Sequence, residues 1–456
     1  MVQLRPYQDR GVNDIREAFD TAQSVLYVAP TGAGKTTMFC YITHSAAAQG
    51  TRTCILVHRD TLLQQASRAL TAAGVPHGLI APGHTPTEDM VHVASVQTLV
   101  RRLDRHQFDF LVIDEGHHAT AGSWRKILTA MPEAHLLGVT ATPCRLDGAG
   151  LQDVYETMVM GPSTKELIDT GYLVGPVVYA PAHQVDLSRI RTRGGDWDQR
   201  ELAATMDRPT VTGDAVAHYR RLCPNAPAVA FCVSVQHAED VAADFNRTGI
   251  RAAAISGNMK AERVQDAVDA LRDGRLQVIA SCDLISEGFD APCVAAAILL
   301  RPTQSEGLYI QQVGRALRPA PGKNHAIILD HSSNVFRHGM PDDDREWTLT
   351  GARRRGPMTA ATVPVRQCPS CFACHRPGPR CPACGHIYQV EGREVDQVAG
   401  ELVKVDPVLA KRLRQRKIHA AKTLQDLQHV ADELGYKPGW VRVMWERRQA
   451  LKWRTA

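Results

Sequence analysis

The sequence has no apolar run that approaches the ~18 residues needed to span a bilayer, and its mean hydropathy is −0.23. It also lacks the apolar core of a secretory leader, because the N-terminus reads MVQLRPYQDR. These two absences argue against an integral membrane protein and against secretion, so a reducing cytoplasm is expected. The 456 residues are 44% apolar and 22% charged, as in globular chains with one domain per roughly 100–200 residues.

A reducing compartment leaves little role for a disulfide framework, although the chain has 12 cysteines. Five of them fall between residues 368 and 384, and this density indicates a metal site. The other seven are isolated and are interpreted as small buried apolar residues: Cys40, Cys54, Cys144, Cys223, Cys232, Cys282 and Cys293.

The positive charge is unevenly distributed. The net charge is +5, but residues 401–456 carry 13 Lys and Arg against 6 Asp and Glu, so the tail alone is at +7 and the rest at −2. A basic C-terminal segment predicts a polyanionic partner.

Short, almost continuously apolar runs recur through two long stretches of the chain. In the first stretch they are Val25–Ala29, Cys54–Val57, Val91–Ala94, Phe110–Ile113 and Leu136–Val139, with helical intervals such as Thr61–Ala73 between them. In the second they are Ala228–Val233, Ala252–Ile255, Gln277–Ala280, Ala295–Leu300 and Ala326–Leu329. Strands buried on both faces of a parallel sheet have this character, so the pattern predicts two α/β halves with helices on both faces of each sheet.

The predicted boundaries divide the chain into five parts. Residues 1–162 and 163–335 form the two α/β domains, 336–366 a linker, 367–390 a four-cysteine zinc module and 400–456 a basic helical module. The segment Ser188–Pro209 is polar and rich in Gly and Arg, which predicts a surface excursion.

Residues 29–37 read APTGAGKTT, directly after the apolar run VLYV and before a helical stretch. This is the context of a phosphate-binding loop, in which Gly32 and Gly34 let backbone N–H groups converge on phosphate, Lys35 reaches the β- and γ-phosphates and Thr36 holds Mg²⁺. Ala29 replaces the first glycine of the general pattern, and a chance glycine-rich turn is the alternative. The nucleotide contacts expected from the loop are Pro30, Thr31, Gly32, Ala33, Gly34, Lys35, Thr36 and Thr37.

Two further polar clusters complete a predicted ATP-hydrolysing site. Asp114 and Glu115 follow the run FDFLVI, at the strand end where ligands bind in open α/β sheets, so we expect Asp114 to hold Mg²⁺ and Glu115 to deprotonate the attacking water. In QQVGRALR, Arg315 and Arg318 share a helix face with Gln311 nearby, and they reach the γ-phosphate if the halves close. The alternatives are a solvated loop for the acidic pair and an exposed basic helix for the arginines.

In this order the three clusters resemble the two-RecA-domain motors of helicase superfamily 2, over about residues 3–335. DEGH is similar to the DExH side of the superfamily. LLRPTQSEGLYIQQVGRALRPAPGKNHAIILDH resembles the RadD-type group, which is related to the motor subunits of type III restriction enzymes, and many phage-encoded helicases share that core. The resemblance implies two tandem RecA-like domains and an ATP-dependent helicase or translocase.

The resemblance also implies roles for residues elsewhere in the chain. LRPYQ matches the adenine-reading segment through Arg5 and Gln8, and SEGFDAP matches a motif with Gly288 and Asp290 near ATP and strand. LVHRDTLLQQ and ASVQTL match segments that touch the nucleic-acid backbone, through His58, Arg59, Ser95, Gln97 and Thr98. VTATP and the histidine of DEGH couple hydrolysis to movement, through Thr140, Thr142 and His117.

The cysteine cluster reads CPSCFACHRPGPRCPACGH. Cys368 with Cys371 and Cys381 with Cys384 form two knuckles separated by nine residues, and four thiolates at this spacing can wrap one tetrahedral Zn²⁺. Cys374 is an alternative ligand, because it also stands two residues from Cys371, and His375 and His386 are spare candidates. An iron–sulfur cluster and free thiols are the other interpretations, and the module could be a structural staple or a DNA contact.

The basic tail combines charge with aromatic residues. KRLRQRK at 411–417 carries five charges, and Trp440, Trp445 and Trp453 alternate with basic residues, which suits single-strand binding by phosphate neutralisation and base stacking. The alternative is a helical hairpin whose core contains Trp440, Met444 and Leu451. Leu424, Leu427, Val430 and Leu434 fall on one helix face, and Gly435 ends that helix.

Taken together, the sequence predicts an ATP-dependent DNA helicase or translocase that uses ATP, Mg²⁺ and Zn²⁺. A monomer acting on single-stranded or forked DNA, with RNA less favoured, is expected in a bacterial cell, with a role in repair, recombination or phage replication. The alternatives are an ATP-gated clamp that recruits a repair or replication partner without unwinding, the motor subunit of a restriction-type complex, and an RNA helicase.

Overall fold

The computed structural model describes residues 3–145, 148–181, 187, 189–193, 195–206, 209–257, 259–282, 291–351, 364–388, 407–436 and 439–452. The chain forms two compact units, Met1–Gln389 and Val390–Ala456. None of the helices within the described ranges is long and apolar enough to cross a membrane.

The first RecA-like domain is built on a seven-stranded sheet in the order β3-β4-β2-β5-β6-β1-β7. Its elements are α1 Pro6–Phe19, β1 Ser24–Val28, α2 Lys35–Ala48, β2 Thr53–Val57, α3 Asp60–Ala72, β3 Gly78–Ile80, β4 Val91–Ser95, α4 Val96–Leu99, β5 Phe110–Asp114, α5 Gly122–Ala130, β6 His135–Thr140 and β7 Thr157–Met160. All of its strand pairs are parallel. The apolar runs of the sequence form the central strands, which are buried on both faces as predicted.

The second RecA-like domain has an eight-stranded sheet in the order β12-β13-β11-β14-β15-β8-β17-β16. Its elements are α6 Thr164–Asp169, β8 Gly175–Tyr179, β9 Thr192–Arg193, β10 Asp196–Trp197, α7 Gln199–Met206, α8 Pro209–Leu222, β11 Ala228–Phe231, α9 Val235–Arg247, β12 Ala252–Ser256, α10 Ala261–Arg272, β13 Val278–Cys282, β14 Ala296–Leu299, α11 Glu306–Gly314, β15 His325–Asp330, α12 Asn334–His338, β16 Arg366–Gln367 and β17 Ala373–His375. The first six strands of this order are parallel, and β17 and β16 are antiparallel additions.

The cysteine module is therefore joined to the second sheet. Its strand β17 pairs with β8, which places Ala373 opposite Tyr179 and Cys374 opposite Val178. The three-residue strand is too short to be read from the sequence pattern, and its partner lies almost 200 positions earlier in the chain.

The segment Ser188–Pro209 differs from the expected surface excursion. Leu202 and Met206 of α7 are buried and pack with Val233, which follows β11. The Asp196 carboxylate accepts hydrogen bonds from the Thr303 hydroxyl at 2.8 Å and the Gln304 amide at 2.7 Å. The described residues of the segment contact loops at the carboxyl edge of the second sheet, and its apolar residues are too few for the sequence to reveal that role.

The described part of the predicted linker, residues 336–351, packs against neighbouring elements. Trp347 and Leu349 pack against the core of the first domain, and the Leu349 carbonyl accepts the Leu151 amide at 2.7 Å. Arg345 meets the Glu306 carboxylate at 2.8 Å, at the start of α11. This segment therefore contacts both RecA-like domains.

The C-terminal unit consists of α13 Pro407–Ala420, α14 Leu424–Leu434 and α15 Trp440–Lys452. Leu427, Val430 and Ala421 form its small core, with Trp440, Met444 and Trp445 packed against it. Gly435 ends α14 in the left-handed conformation, as predicted. Leu424, at the first position of α14, is exposed. Trp453 lies outside the described residues.

Candidate active site and metal centre

The glycine-rich loop connects β1 to α2 at the carboxyl edge of the first sheet. Gly32 and Gly34 have φ values of 91° and 76°, a backbone region that glycine adopts without the penalty of a side chain. The Lys35 ammonium donates to the Ala29 and Pro30 carbonyls at 3.0 and 3.3 Å. Burial lowers the pKa of Lys35, while Glu115 and Asp114 oppose that shift. The loop thus holds a half-buried cation beside a helix N-terminus, an arrangement suited to phosphate.

Residues of α1 brace this loop. The Gln8 side-chain amide donates to the Ala33 carbonyl at 3.1 Å, and the Tyr7 hydroxyl donates to the same carbonyl at 2.9 Å. The ring of Tyr172 lies 4.9 Å from the ring of Tyr7 and beneath the Arg5 guanidinium at 4.8 Å. Gln8 therefore contacts the loop directly and Arg5 lines the same cavity, and their adenine-reading role stays a prediction. The sequence pattern gave no signal for Tyr172, which belongs to the second domain and also lines the cleft.

The acidic pair ends β5 and faces the same loop. The Asp114 carboxylate accepts the Glu115 backbone amide at 3.0 Å, and Glu115 adopts a left-handed φ of 55°. A non-glycine residue in this conformation is uncommon and is found most often where function requires it. The turn carries the Glu115 carboxylate toward His117 and Thr140, at 3.5 and 3.4 Å.

A hydrogen-bond network leads from Glu115 to the second domain. The Thr140 hydroxyl lies 3.1 Å from the His117 imidazole and also 3.1 Å from the Thr142 backbone amide. The Thr142 hydroxyl accepts the Gln311 side-chain amide at 3.3 Å. His117, Thr140 and Thr142, the residues expected to couple hydrolysis to movement, are thus linked by hydrogen bonds. Gln311 extends this network across the domain boundary.

Helix α11 approaches the first domain closely at two of its glycines. A Cβ atom on Gly314 would lie 2.7 Å from the Thr31 Cβ, and one on Gly307 would lie 3.2 Å from the Thr142 Cβ. Residues 307, 311 and 314 share one helix face, so Gln311 lies between the two glycines. The importance of Gly307 is not readable from the sequence, because its neighbour is 165 positions away in the chain.

Arg315 and Arg318 follow this helix and line a cavity of about 1090 Å³ between the two domains. The same cavity is lined by Thr31, Gly32, Gly34, Lys35, Thr36, Thr37, Asp114, Glu115 and Arg5. The positive charges of Arg315 and Arg318 add to the lowering of the Lys35 pKa, although burial is the larger cause. A cleft with three converging cations and two carboxylates can hold a polyphosphate with a divalent cation. Gly288 and Asp290 lie outside the described residues.

The residues expected to contact nucleic acid follow two neighbouring strands, β2 and β4, at the same sheet edge. The exposed Gln97 donates to the His58 carbonyl at 3.4 Å and accepts the Ser95 hydroxyl at 2.9 Å. The His58 ring, next to Arg59, lies 4.6 Å from the His118 ring. Ser95 and Thr98 are buried, so their side chains differ from the expected surface contacts.

Four cysteine sulfurs lie within 4.8 Å of one another, those of Cys368, Cys371, Cys381 and Cys384. Two of the separations, 3.6 Å between Cys368 and Cys384 and 3.7 Å between Cys371 and Cys381, match the spacing of about 3.8 Å that tetrahedral Zn–S bonds of about 2.3 Å require. These donors therefore fit Zn²⁺.

The other ligand candidates of the module are placed elsewhere. Cys374 lies in the core of the second domain, where burial raises the pKa of its thiol to about 12. The two ring nitrogens of His375 meet the Arg376 carbonyl at 2.6 Å and the Tyr388 hydroxyl at 2.7 Å. The His386 ring packs edge-on against Tyr388.

Two family profiles match the chain. Residues 1–145 match "Type III restriction enzyme, res subunit" and residues 215–320 match "Helicase conserved C-terminal domain".

Relatives and a solved structure agree with these profiles. A 51.5 kDa protein of a Lactococcus phage is 32% identical over 398 residues, which cover 85% of this chain and 84% of the phage protein. IRC3 of Saccharomyces cerevisiae, named as an ATP-dependent helicase, is 29% identical over 72% of this chain and 51% of its own length. A fragment described as the HsdR subunit of a type I restriction enzyme from Vibrio vulnificus YJ016 has a similar fold, with a TM-score of 0.58, 21% identity and coverage of 74% of this chain and 66% of the fragment.

Proposed function

The chain belongs to the superfamily 2 helicases of the restriction-motor type and is an ATP-hydrolysing motor that acts on nucleic acid, and from this premise we propose that it is a DNA helicase or translocase. The observation that carries the proposal is the single cleft in which Lys35, Asp114 and Glu115 of one domain face Arg315 and Arg318 of the other. A site divided in this way is complete only when the domains are together, so that hydrolysis and domain movement depend on each other.

In the proposed site each residue has a separate task. Lys35 and the amides of the glycine-rich loop bind the phosphates, and Glu115 orients the attacking water and accepts its proton. Arg315 and Arg318 stabilise the charge that develops on the transferred phosphoryl group. Thr36 and Asp114 would hold Mg²⁺, which supplies charge neutralisation at the phosphates when it is bound.

The network from Glu115 through Thr140 and Thr142 to Gln311 is the proposed coupling path. When α11 shifts, the hydrogen bond between Gln311 and Thr142 breaks. Because the Thr142 amide also donates to the Thr140 hydroxyl, the shift changes the position of that hydroxyl, which faces the Glu115 carboxylate. Gln97 is hydrogen-bonded to the His58 carbonyl, and the His58 ring lies against the His118 ring. The His118 ring in turn lies against that of His117, so a nucleic-acid strand bound at His58 can influence His117 and thereby Glu115.

DNA is the proposed substrate because the matched profile and the Vibrio fragment are parts of restriction enzymes, which act on DNA. The tail adds a net charge of +7 for phosphate binding. The proposed cellular role is DNA repair, recombination or phage replication, in the cytoplasm. The likeness to a phage protein supports the last of these roles.

The proposal is tested by steady-state ATPase without nucleic acid and with single-stranded, duplex or forked DNA or RNA, with strand displacement measured on the fork. We expect turnover stimulated by DNA more than by RNA, together with displacement. Stimulation by DNA without displacement would favour a translocase or clamp over a helicase. Stimulation by RNA alone would contradict the DNA assignment, and equal turnover under all conditions would contradict a motor.

A further inference from the structure

The two cysteine knuckles have the same backbone geometry but different residues at one position. In each CPxC knuckle the residue after the second cysteine donates its amide to the carbonyl of the first, at 2.9 Å for Phe372 to Cys368 and 2.9 Å for Gly385 to Cys381. Both residues are left-handed, with φ of 63° for Phe372 and 74° for Gly385. Glycine adopts this conformation readily, whereas a bulky aromatic residue is disfavoured there.

Phe372 gains no compensating burial, because its side chain is 42% exposed. The left-handed backbone and the exposed aromatic ring each lower the stability of the folded module. Such a residue is typical of a site where strain is retained for function.

The Phe372 ring lines a cavity of about 240 Å³ between the cysteine module, α8 and the ends of β8 and β15. This volume is below the roughly 300–1,000 Å³ of sites for drug-sized ligands, so the cavity suits a group the size of one ring system. Its other walls are Tyr179, Ala180, Pro181, Leu222, Leu329 and Asp330.

Polar groups of the cavity can recognise the edge of such a ring. The His218 and His331 rings lie 5.1 Å apart and both line it. Burial, with His218 nearby, lowers the pKa of His331 to about 3, so this imidazole is neutral at physiological pH and offers a donor and an acceptor. The exposed Arg221 lines the mouth, whereas the preceding residue, Arg220, is directed to the Thr248 carbonyl instead.

The cavity opens at the carboxyl edge of the second sheet. Tyr179 ends β8 and Asp330 ends β15, and both strands run parallel to β11. Ligands bind at this edge in open α/β sheets. In the first domain the corresponding edge carries the phosphate loop and the loops after β2 and β4.

We propose that this cavity receives one nucleobase of the bound single strand, stacked on Phe372, with the adjacent phosphate at Arg221. The inference rests on the proposed function only in requiring that the protein holds a strand. It gives the cysteine module a direct part in nucleic-acid binding, beyond that of a structural staple.

The first test compares intact single-stranded DNA with strands in which one abasic position is moved along the sequence, using fluorescence anisotropy with the full chain. For the wild type we expect one register at which the abasic site weakens binding by about 5- to 150-fold, the range of base–aromatic stacking. Phe372→Gly should bind intact DNA more weakly than the wild type by a similar factor. It should bind the abasic and intact strands with equal affinity. If Phe372→Gly binds both strands as the wild type does, the inference is wrong.

A stability measurement separates this role from a structural one. Because Phe372→Gly copies the residue of the other knuckle, it should retain zinc and melt at the wild-type temperature or above. A melting temperature well below that of the wild type would show that Phe372 is a structural residue and would overturn the inference.

Arg221→Gln and Arg220→Gln form a matched pair of neighbouring charges. Arg221→Gln should weaken binding and reduce the slope of log affinity against log salt by about 0.7, as for one phosphate contact on a single strand. Arg220→Gln should retain the wild-type slope, and equal losses of affinity in the two variants would contradict the proposed phosphate position.

Failure of the wild type to bind any oligonucleotide would contradict the proposed function itself. That outcome is distinct from one in which the wild type binds and the variants do not differ from it.

Discussion

The nucleotide cleft and the cysteine module are stabilised in different ways. The cleft gathers side chains from residue 5 to residue 318 at the edges of two sheets with extensive buried cores. The module draws its four sulfurs from 17 residues, and the buried members of its own cluster are Cys368, Ala373 and Cys381. The fold therefore fixes the cleft whether or not its functional side chains are present, whereas a module with so small a core would need a bound metal to keep its shape.

The largest expected effect comes from removing one sulfur of the module. Structural zinc contributes about 10–16 kcal/mol in small peptides, so Cys381→Ser should abolish zinc binding and unfold residues 367–388. ATPase without nucleic acid should be retained, because the cleft has its own core. Metal content by mass spectrometry and turnover check both parts.

Cys374→Ala is the matched control for that change. Cys374 is buried in the core of the second domain and not directed at the four sulfurs, so this variant should keep its zinc and lose only about 1 kcal/mol of stability. Loss of zinc in Cys374→Ala, or retention of zinc in Cys381→Ser, would contradict the ligand set.

The opposite behaviour is expected in the cleft. Glu115→Gln removes the proposed base and should lower turnover about 100- to 10,000-fold, the range for general acid–base catalysis. The melting temperature should stay close to that of the wild type, because Glu115 lies at a turn outside both cores. Glu133→Gln, an exposed carboxylate in the same domain, should retain wild-type turnover. Unfolding of Glu115→Gln would show that the cleft, like the module, needs its functional groups to fold.

A smaller effect is expected when α11 is prevented from packing as closely against the first domain. The change tests whether ATP hydrolysis requires this close contact. In Gly314→Ala the new methyl group would lie 2.7 Å from the Thr31 Cβ, an overlap that costs about 1–3 kcal/mol in a packed interface. We expect turnover to fall about 5- to 100-fold, with nucleotide binding to the first domain retained. Gly122→Ala, with no atom within 4 Å of the added Cβ, should behave as the wild type. Equal turnover in the two variants would mean that hydrolysis does not require this contact.

The contrast between cleft and module also explains what the sequence could and could not predict. The loop of residues 29–37 and the pair Asp114-Glu115 are predictable, because a buried strand of recognisable composition places each of them at a sheet edge. Gly307 and Tyr172 were missed, since their roles depend on neighbours more than 130 positions away in the chain. The attachment of the module through β17 was missed for the same reason, whereas its ligands were predictable from local spacing alone.

The smallest expected effect concerns the link between the module and the motor. Arg376 forms ion pairs with Asp342 at 3.1 Å and Asp343 at 2.6 Å, and the nearby Arg345 joins the Glu306 carboxylate at the start of α11. The Arg376 side chain is 43% exposed, and exposed ion pairs contribute about 0–1 kcal/mol, so Arg376→Ala should barely change the melting temperature. If module and cleft are independent, DNA-stimulated ATPase should also be unchanged. A clear loss of DNA stimulation, with zinc content and melting temperature unchanged, would contradict this independence. It would show that the module acts on the cleft through the contacts of residues 342–345 with α11.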